Sequence, residues 1–163
     1  MTQQFSQNSI TKESPKLVGF IVDEVRYGID IMRVKEVVNP EGLIALPTMP
    51  LFIKGVTDHR GKVVPIVNLR IRFGLPEVEK TRRTKWLLVK VDAQEVGLEV
   101  DSISIVHRVD STRLTDGFAE LNNRARPWIK SAHYTEKGLL FELDLTSLLD
   151  FELLASIIEE GES

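Results

Sequence analysis

The chain of 163 residues reads as mainly β, a small barrel or sandwich of many short strands followed by one C-terminal helix. Three observations predict this class. Apolar and polar residues alternate in short runs separated by close turn signals. Those runs recur at fixed offsets within the chain. Apolar spacing of three and four residues is clear only near the C-terminus.

Residues 1–16 hold only Met1, Phe5 and Ile10 as large apolar groups. They are expected to form a disordered tail, because so little apolar surface does not offset the entropy of ordering. A domain over 17–160 is expected to follow. Leu17 to Val22 and the alternating Val25, Tyr27, Ile29 and Ile31 flank Asp23-Glu24, which is a hairpin signal. A weaker helical piece is expected over 31–38, where Ile31, Val34, Val37 and Val38 share a helical face. Phe52 to Val56 and the run over 62–73 form a second hairpin about Arg60-Gly61. Pro65 in that run donates no backbone hydrogen bond, so the strand is expected at a sheet edge or with a bulge. Trp86 to Val91, Val96 to Val100 and Leu139 to Leu145 are further strands, the last following a Lys137-Gly138 turn. Leu145, Leu148, Leu149, Leu153, Leu154, Ile157 and Ile158 mark an amphipathic helix over about 145–160, with Gly161 as its stop.

The repeat organises these pieces. A shift of 69 residues lays Val22-Asp23 on Val91-Asp92, Gly28 to Ile31 on Gly97 to Val100, and Val34 on Ile103. A shift of 76 lays Ile53-Lys54 on Ile129-Lys130, and Val67 and Leu69 on Leu143 and Leu145. Two similar halves follow, roughly 17–75 and 86–149, either self-contained or exchanging terminal strands.

Composition narrows the function. The chain has no cysteine, which excludes disulfides, thiolate nucleophiles and cysteine-ligated metals. A net charge of −3 argues against a mainly electrostatic DNA binder. No apolar run nears the ~18 residues of a membrane span, and no secretory signal is apparent at residues 1–16, so a cytoplasmic protein is expected. His59, His107 and His133 lie far apart without metal-ligand spacing, and Asp58 and His59, as strand neighbours, point to opposite faces. The stretch from Gly55 to Val63 imitates a phosphate-binding loop, but has five residues between its glycines and a strand-like run after Lys62. The only basic run, Lys80 to Lys85, lacks aromatic residues for base stacking and is expected to be a solvated linker. No catalytic pattern, metal or cofactor is expected, and binding remains as the work to be explained. The conspicuous loop for it holds Gly55, Asp58, Arg60 and Gly61.

The stretch from Phe52 to Arg70, FIKGVTDHRGKVVPIVNLR, resembles the signature of the CheW family of chemotaxis coupling proteins. Tyr27 to Ile31, the Val34-x-Glu36 step and Gly97 to Asp101 resemble it too, and the likeness covers about 17–150. This chain departs from the family pattern at Asp58-His59, where Asn is usual, and at Ser131, where Gly is usual. The resemblance implies a CheW-like pair of five-stranded SH3-like β-barrels with a groove between them. It also implies a non-enzymatic adaptor joining a methyl-accepting chemotaxis receptor to a CheA-type histidine kinase. By the same resemblance, Val34, Glu36, Arg60 and Val106 are expected at the receptor contact and Gly55 near the kinase. Such a protein is cytoplasmic and recruited to receptor arrays. The alternative reading is a single-stranded nucleic-acid-binding β-barrel, contacting its ligand through Lys80 to Lys85.

Overall fold

The computed structural model describes residues 14–109, 124–149 and 154. Ten strands follow one another: β1 (Lys16–Val22), β2 (Val25–Asp30), β3 (Val34–Val38), β4 (Ile53–His59), β5 (Lys62–Asn68), β6 (Lys85–Val91), β7 (Gln94–Val100), β8 (Ser102–Arg108), β9 (Ile129–Thr135) and β10 (Gly138–Leu143). Two single-turn helices, α1 (Leu69–Arg72) and α2 (Leu145–Leu148), close the β4–β5 and β9–β10 hairpins. The strands form two five-stranded sheets, ordered β8-β1-β2-β10-β9 and β3-β6-β7-β5-β4.

The repeat offsets reappear in the elements. Adding 69 to the bounds of β1 gives those of β6, and adding 76 to those of β4 and α1 gives those of β9 and α2. The pairing repeats as well. β2 lies parallel to β10 with Gly28 opposite Glu142, and β7 lies parallel to β5 with Gly97 opposite Ile66. Each sheet therefore takes one hairpin (β1–β2 or β6–β7) from one half and three strands from the other. The hairpin tips follow from residues that tolerate left-handed backbone: Asp23 and Glu24 have φ of 52° and 67°, and Arg60 and Gly61 have 54° and 83°.

Strands buried on both faces explain the continuous apolar runs. Leu87, Val89 and Val91 enter one large core shared by both sheets, whereas Trp86 and Leu88 join Val64 and Ile66 in a second cluster. Leu17, the counterpart of Trp86, packs with Val109 and Leu140 in a third. Burying both faces of a strand roughly doubles its apolar transfer, at about 25 cal/mol per Å². The sheets are joined by polar contacts also. Arg70 of α1 binds Asp101 in a bidentate pair, with Nε–Oδ1 at 2.9 Å and Nη2–Oδ2 at 2.7 Å. Asp101 Oδ2 in turn accepts the N–H of Asp23 at 2.8 Å. Arg72 lies over the rings of Phe52 and Trp128 and donates to the carbonyl of Leu148 at 2.9 Å.

Several local expectations need correction. The helix expected over 31–38 is a 3-10 turn, Ile31–Arg33, followed by strand β3, because β-branched Val34, Val37 and Val38 gain a ladder with β6. The strand expected over 62–73 ends at Asn68, whose side chain accepts the N–H of Ile71 and caps α1. Pro65 lies on β5, which is inside its sheet between β7 and β4, not at an edge. The missing N–H does no harm there. Opposite Pro65, Val56 directs its own N–H and carbonyl to Ile44, and the β7 ladder begins only at Ile66. At the C-terminus, the helix expected to run on from 145 is interrupted: α2, capped by Asp144, is a single turn ended by the extended backbone of Leu149. Leu154 is helical and buried, and the rest of 145–160 lies outside the described residues. Of the tail expected over 1–16, residues 1–13 lie outside them too, whereas the carbonyl of Pro15 accepts the N–H of Val109 and Lys16 opens β1.

Candidate functional site

Glu36 lies on β3 and His59 at the end of β4, the two outer strands of one sheet. A twisted sheet whose outer strands touch has curled on itself. His59 Nε2 is 2.8 Å from Glu36 Oε2, and Arg60 Nη2 donates to Oε1 at 3.0 Å. One carboxylate thus holds an imidazole and a guanidinium together at the rim of the sheet. The β4–β5 turn that carries Arg60 is braced by Asp58, whose Oδ1 accepts the N–H of Gly61 at 2.9 Å. The strand neighbours Asp58 and His59 accordingly serve different partners.

Beside this pair, Lys35 and Lys62 both reach Glu95 of β7. A register shift between Val34 and Glu36 lets the consecutive side chains of Lys35 and Glu36 line one hollow with His59, Arg60, Lys62 and Glu95. Hydrogen bonding to Lys35 holds the Glu95 carboxyl below its ordinary range although the side chain is buried. Cations and carboxylates alternate, so the hollow is nearly self-neutralised. Its ion pairs reach the surface, with Arg60 three-quarters exposed at 76%.

The other expected site residues are placed differently. Val34 packs partly buried against the shared core two residues before Glu36. Val106 lies on β8, the outer strand of the other sheet, and is half exposed. Gly55 is buried with φ of 152°, and a Cβ there would stand 2.3 Å from the carbonyl oxygen of Ile44. Glycine is required at 55 by the segment crossing it, since Ile44 and Val56 exchange backbone hydrogen bonds of 2.7 and 2.8 Å. That segment carries exposed Leu43, Ile44 and Leu51. The structure thus joins Glu36 to Arg60 and keeps Val106 and Gly55 elsewhere. Sequence reasoning missed Lys35, Lys62 and Glu95, and it read His59 as isolated. Charged residues on strands are common, and no local spacing marks those that meet across a curled sheet.

A second polar cluster has the composition of an acyl-transfer triad. Ser131 Oγ and His133 Nε2 each lie 3.0 Å from Glu142 Oε1. The geometry is wrong for a triad, because the one nitrogen His133 Nε2 faces both Ser131 Oγ, at 3.0 Å, and the carboxylate, while Nδ1, through which a triad carboxylate orients the imidazole, has no partner. Ser131 and Glu142 are directly paired across β9 and β10, and the cluster satisfies a buried carboxylate. Burial pushes the Glu142 carboxyl up, but hydrogen bonds from His133 and Ser131 outweigh it and leave the group below its ordinary range. Among the described residues no cluster of His, Asp and Glu is arranged to hold a metal ion. Lys62 of the phosphate-loop imitation opens strand β5, and the basic run forms an exposed turn in which Thr81 N–H donates to Thr84 Oγ1.

The chain is similar to known proteins in sequence and in fold. The family model described as CheW-like domain matches residues 16–153. A chemotaxis protein CheW of Bacillus subtilis is 28% identical over 149 residues, covering 91% of this chain and 96% of that protein. A second, from Helicobacter pylori, is 29% identical over 132 residues, 73% of this chain and 80% of the relative. The crystal structure of the scaffolding protein TtCheW from Thermoanaerobacter tengcongensis superposes with a TM-score of 0.75 at 28% identity, covering 84% of this chain and 93% of that one.

Proposed function

The chain belongs to the CheW-like domain family and is a non-enzymatic chemotaxis adaptor; from that premise we propose that it binds the helical tip of a methyl-accepting chemotaxis receptor and the regulatory domain of a CheA-type histidine kinase. The observation that carries the receptor side is the ion pair of Glu36 and Arg60, which holds an exposed guanidinium at a sheet rim. Helix-in-groove recognition needs apolar anchors with a charged rim. Val34 and Val106 supply anchors, while Glu36 and Arg60 supply orientation. On the kinase side, Gly55 acts by letting the segment with exposed Leu43, Ile44 and Leu51 lie close upon β4. The adaptor transmits a signal by binding receptor and kinase states with unequal affinity. It works in the cytoplasm at receptor arrays, and no helix among the described residues is long and apolar enough to cross a membrane.

The test is co-precipitation of receptor tip and kinase with the intact chain and with Arg60→Ala. Receptor affinity is expected to fall about thirtyfold, equivalent to about 2 kcal/mol, for a hot-spot arginine. The melting temperature should barely move, since an exposed ion pair contributes roughly 0.2–1 kcal/mol. Unchanged receptor capture by Arg60→Ala would refute the assignment.

A further inference from the structure

The internal repeat supplies a comparison that the adaptor reading does not use. The counterpart of the Lys35–Glu95 hollow in the other sheet is a second hollow, between β8 and the β9–β10 turn. Here the balance of charge is lost. Among the described residues its lining holds Arg26, Arg82, Arg83, Lys85 and Lys137, and no carboxylate. At an offset of 69, the two acids of the first hollow are replaced: Glu36 corresponds to Ile105 and Glu95 to Arg26. Glu136, in the position of Arg60, does not line it.

In the first hollow every lysine, arginine and histidine is paired with Glu36 or Glu95. Among the described residues, none of the five cations of the second forms an ion pair. Lys85 Nζ donates only to the carbonyl oxygens of Arg82 and Thr84. Arg26 Nη1 is buried with no hydrogen-bond partner. Burying an unpaired cationic donor is costly, and five like charges around one hollow repel one another. The floor between them is apolar, formed by Ile21, Ile103 and Ile105.

We propose that this hollow is a docking site for an acidic peptide segment of a partner protein. The repeat indicates the chemistry. In the sister hollow, carboxylates of the chain itself occupy the gaps between cations, and here they are supplied from outside. Arginine forks match carboxylates in bidentate fashion, and the isoleucine floor accepts the apolar residues between acids on an extended segment. A single-stranded nucleic acid is the lesser fit, because the described lining offers no aromatic ring on which a base stacks. The basic run over 80–85 thus becomes one wall of a binding site. This surface is separate from the Glu36–Arg60 pair.

Fluorescence anisotropy of a labelled oligoglutamate peptide against the intact chain tests the proposal. Saturable, salt-sensitive binding is expected, weakened about tenfold by the exposed double substitution Arg83→Gln/Lys137→Gln and unaltered by Arg60→Gln. Amide shifts confined to Ser102 through Ile105 on titration would place the peptide on the β8 wall. Absence of binding, or binding that the double substitution leaves intact, overturns the site. Tighter binding of oligothymidylate or inorganic polyphosphate at equal charge overturns the carboxylate assignment. Should the double variant unfold, Arg83→Gln alone, at an exposed turn position, carries the same expectation at smaller size.

Discussion

Glu36 holds two partners of unequal exposure, His59 at 21% and Arg60 at 76%. Removing its charge releases both. Glu36→Gln is therefore expected to reduce receptor affinity about as much as Arg60→Ala, and the double variant should cost no more than either alone, because both substitutions break one unit. Additive losses in a double-mutant cycle would show that the two residues contact the receptor independently. His107 is a different case, a buried histidine against Gly19 whose Nε2 has no partner. Burial first, then Arg26 and Lys137, push its imidazole below the ordinary value. The unfolded chain therefore takes up this proton before the folded one. His107 costs nothing above about pH 7, and stability falls as pH drops through about 6.5. The depressed carboxyls of Glu95 and Glu142 act lower, contributing stability that is lost only as pH falls below the ordinary carboxylate range of about 4. Urea unfolding between about pH 7.5 and 5 should show declining stability, and His107→Leu should flatten the decline. A slope unchanged by that substitution would assign the effect elsewhere.

Among the elements, the crossing of β4 by the segment at Ile44 is the most exacting contact. Gly55→Ala must displace Ile44 and its two hydrogen bonds with Val56. A loss of about 1–3 kcal/mol is expected from overpacking alone. Gly61→Ala is the matched control. Its added Cβ meets nothing within 4 Å, leaving only the left-handed φ of 83°, which costs roughly 1–2 kcal/mol for a residue with a side chain. Denaturant titration should rank Gly55→Ala as the more damaging and should show lower kinase capture for it. Period-2 alternation located β1, β2, β4 to β7 and β10 because each buries at least one face, but named no strand where β8 and β9 run. It overran at Asn68, where a side-chain cap turns the chain into α1 while apolar alternation continues through Leu69, Ile71 and Phe73. The helical spacing over 31–38 misled for a related reason: Val34, Val37 and Val38 fit either period, and only the ladder with β6 decides between them.

On the scale of the whole molecule, the two halves are not independent bodies. β1 and β2 pair with β8 and β10 from the second half, while β6 and β7 pair with β3 and β5 from the first. A fragment holding either half alone lacks three strands of one sheet and two of the other. Fragments 14–79 and 80–163 are each expected to show no cooperative thermal transition alone and to regain one when mixed. Autonomous folding of either would contradict the exchange. The shared core, which draws Phe20 and Tyr27 from one sheet and Leu87 and Leu98 from the other, is the physical reason.

The alternation, the turn residues and the two offsets were legible because they are local or periodic, and together they determined a duplicated β protein. The resemblance carried by Gly55, Arg60 and their neighbours pointed to an adaptor for the same reason, since it rests on contiguous residues. Which hairpin joins which three strands was decided by tertiary structure, because parallel pairings such as Gly28 with Glu142 leave no mark on the chain between them. The meeting of Glu36 with His59 and Arg60, and the contrast between a neutralised hollow and an uncompensated basic one, were decided there too. Charge is counted along a sequence, but neutralised only in space.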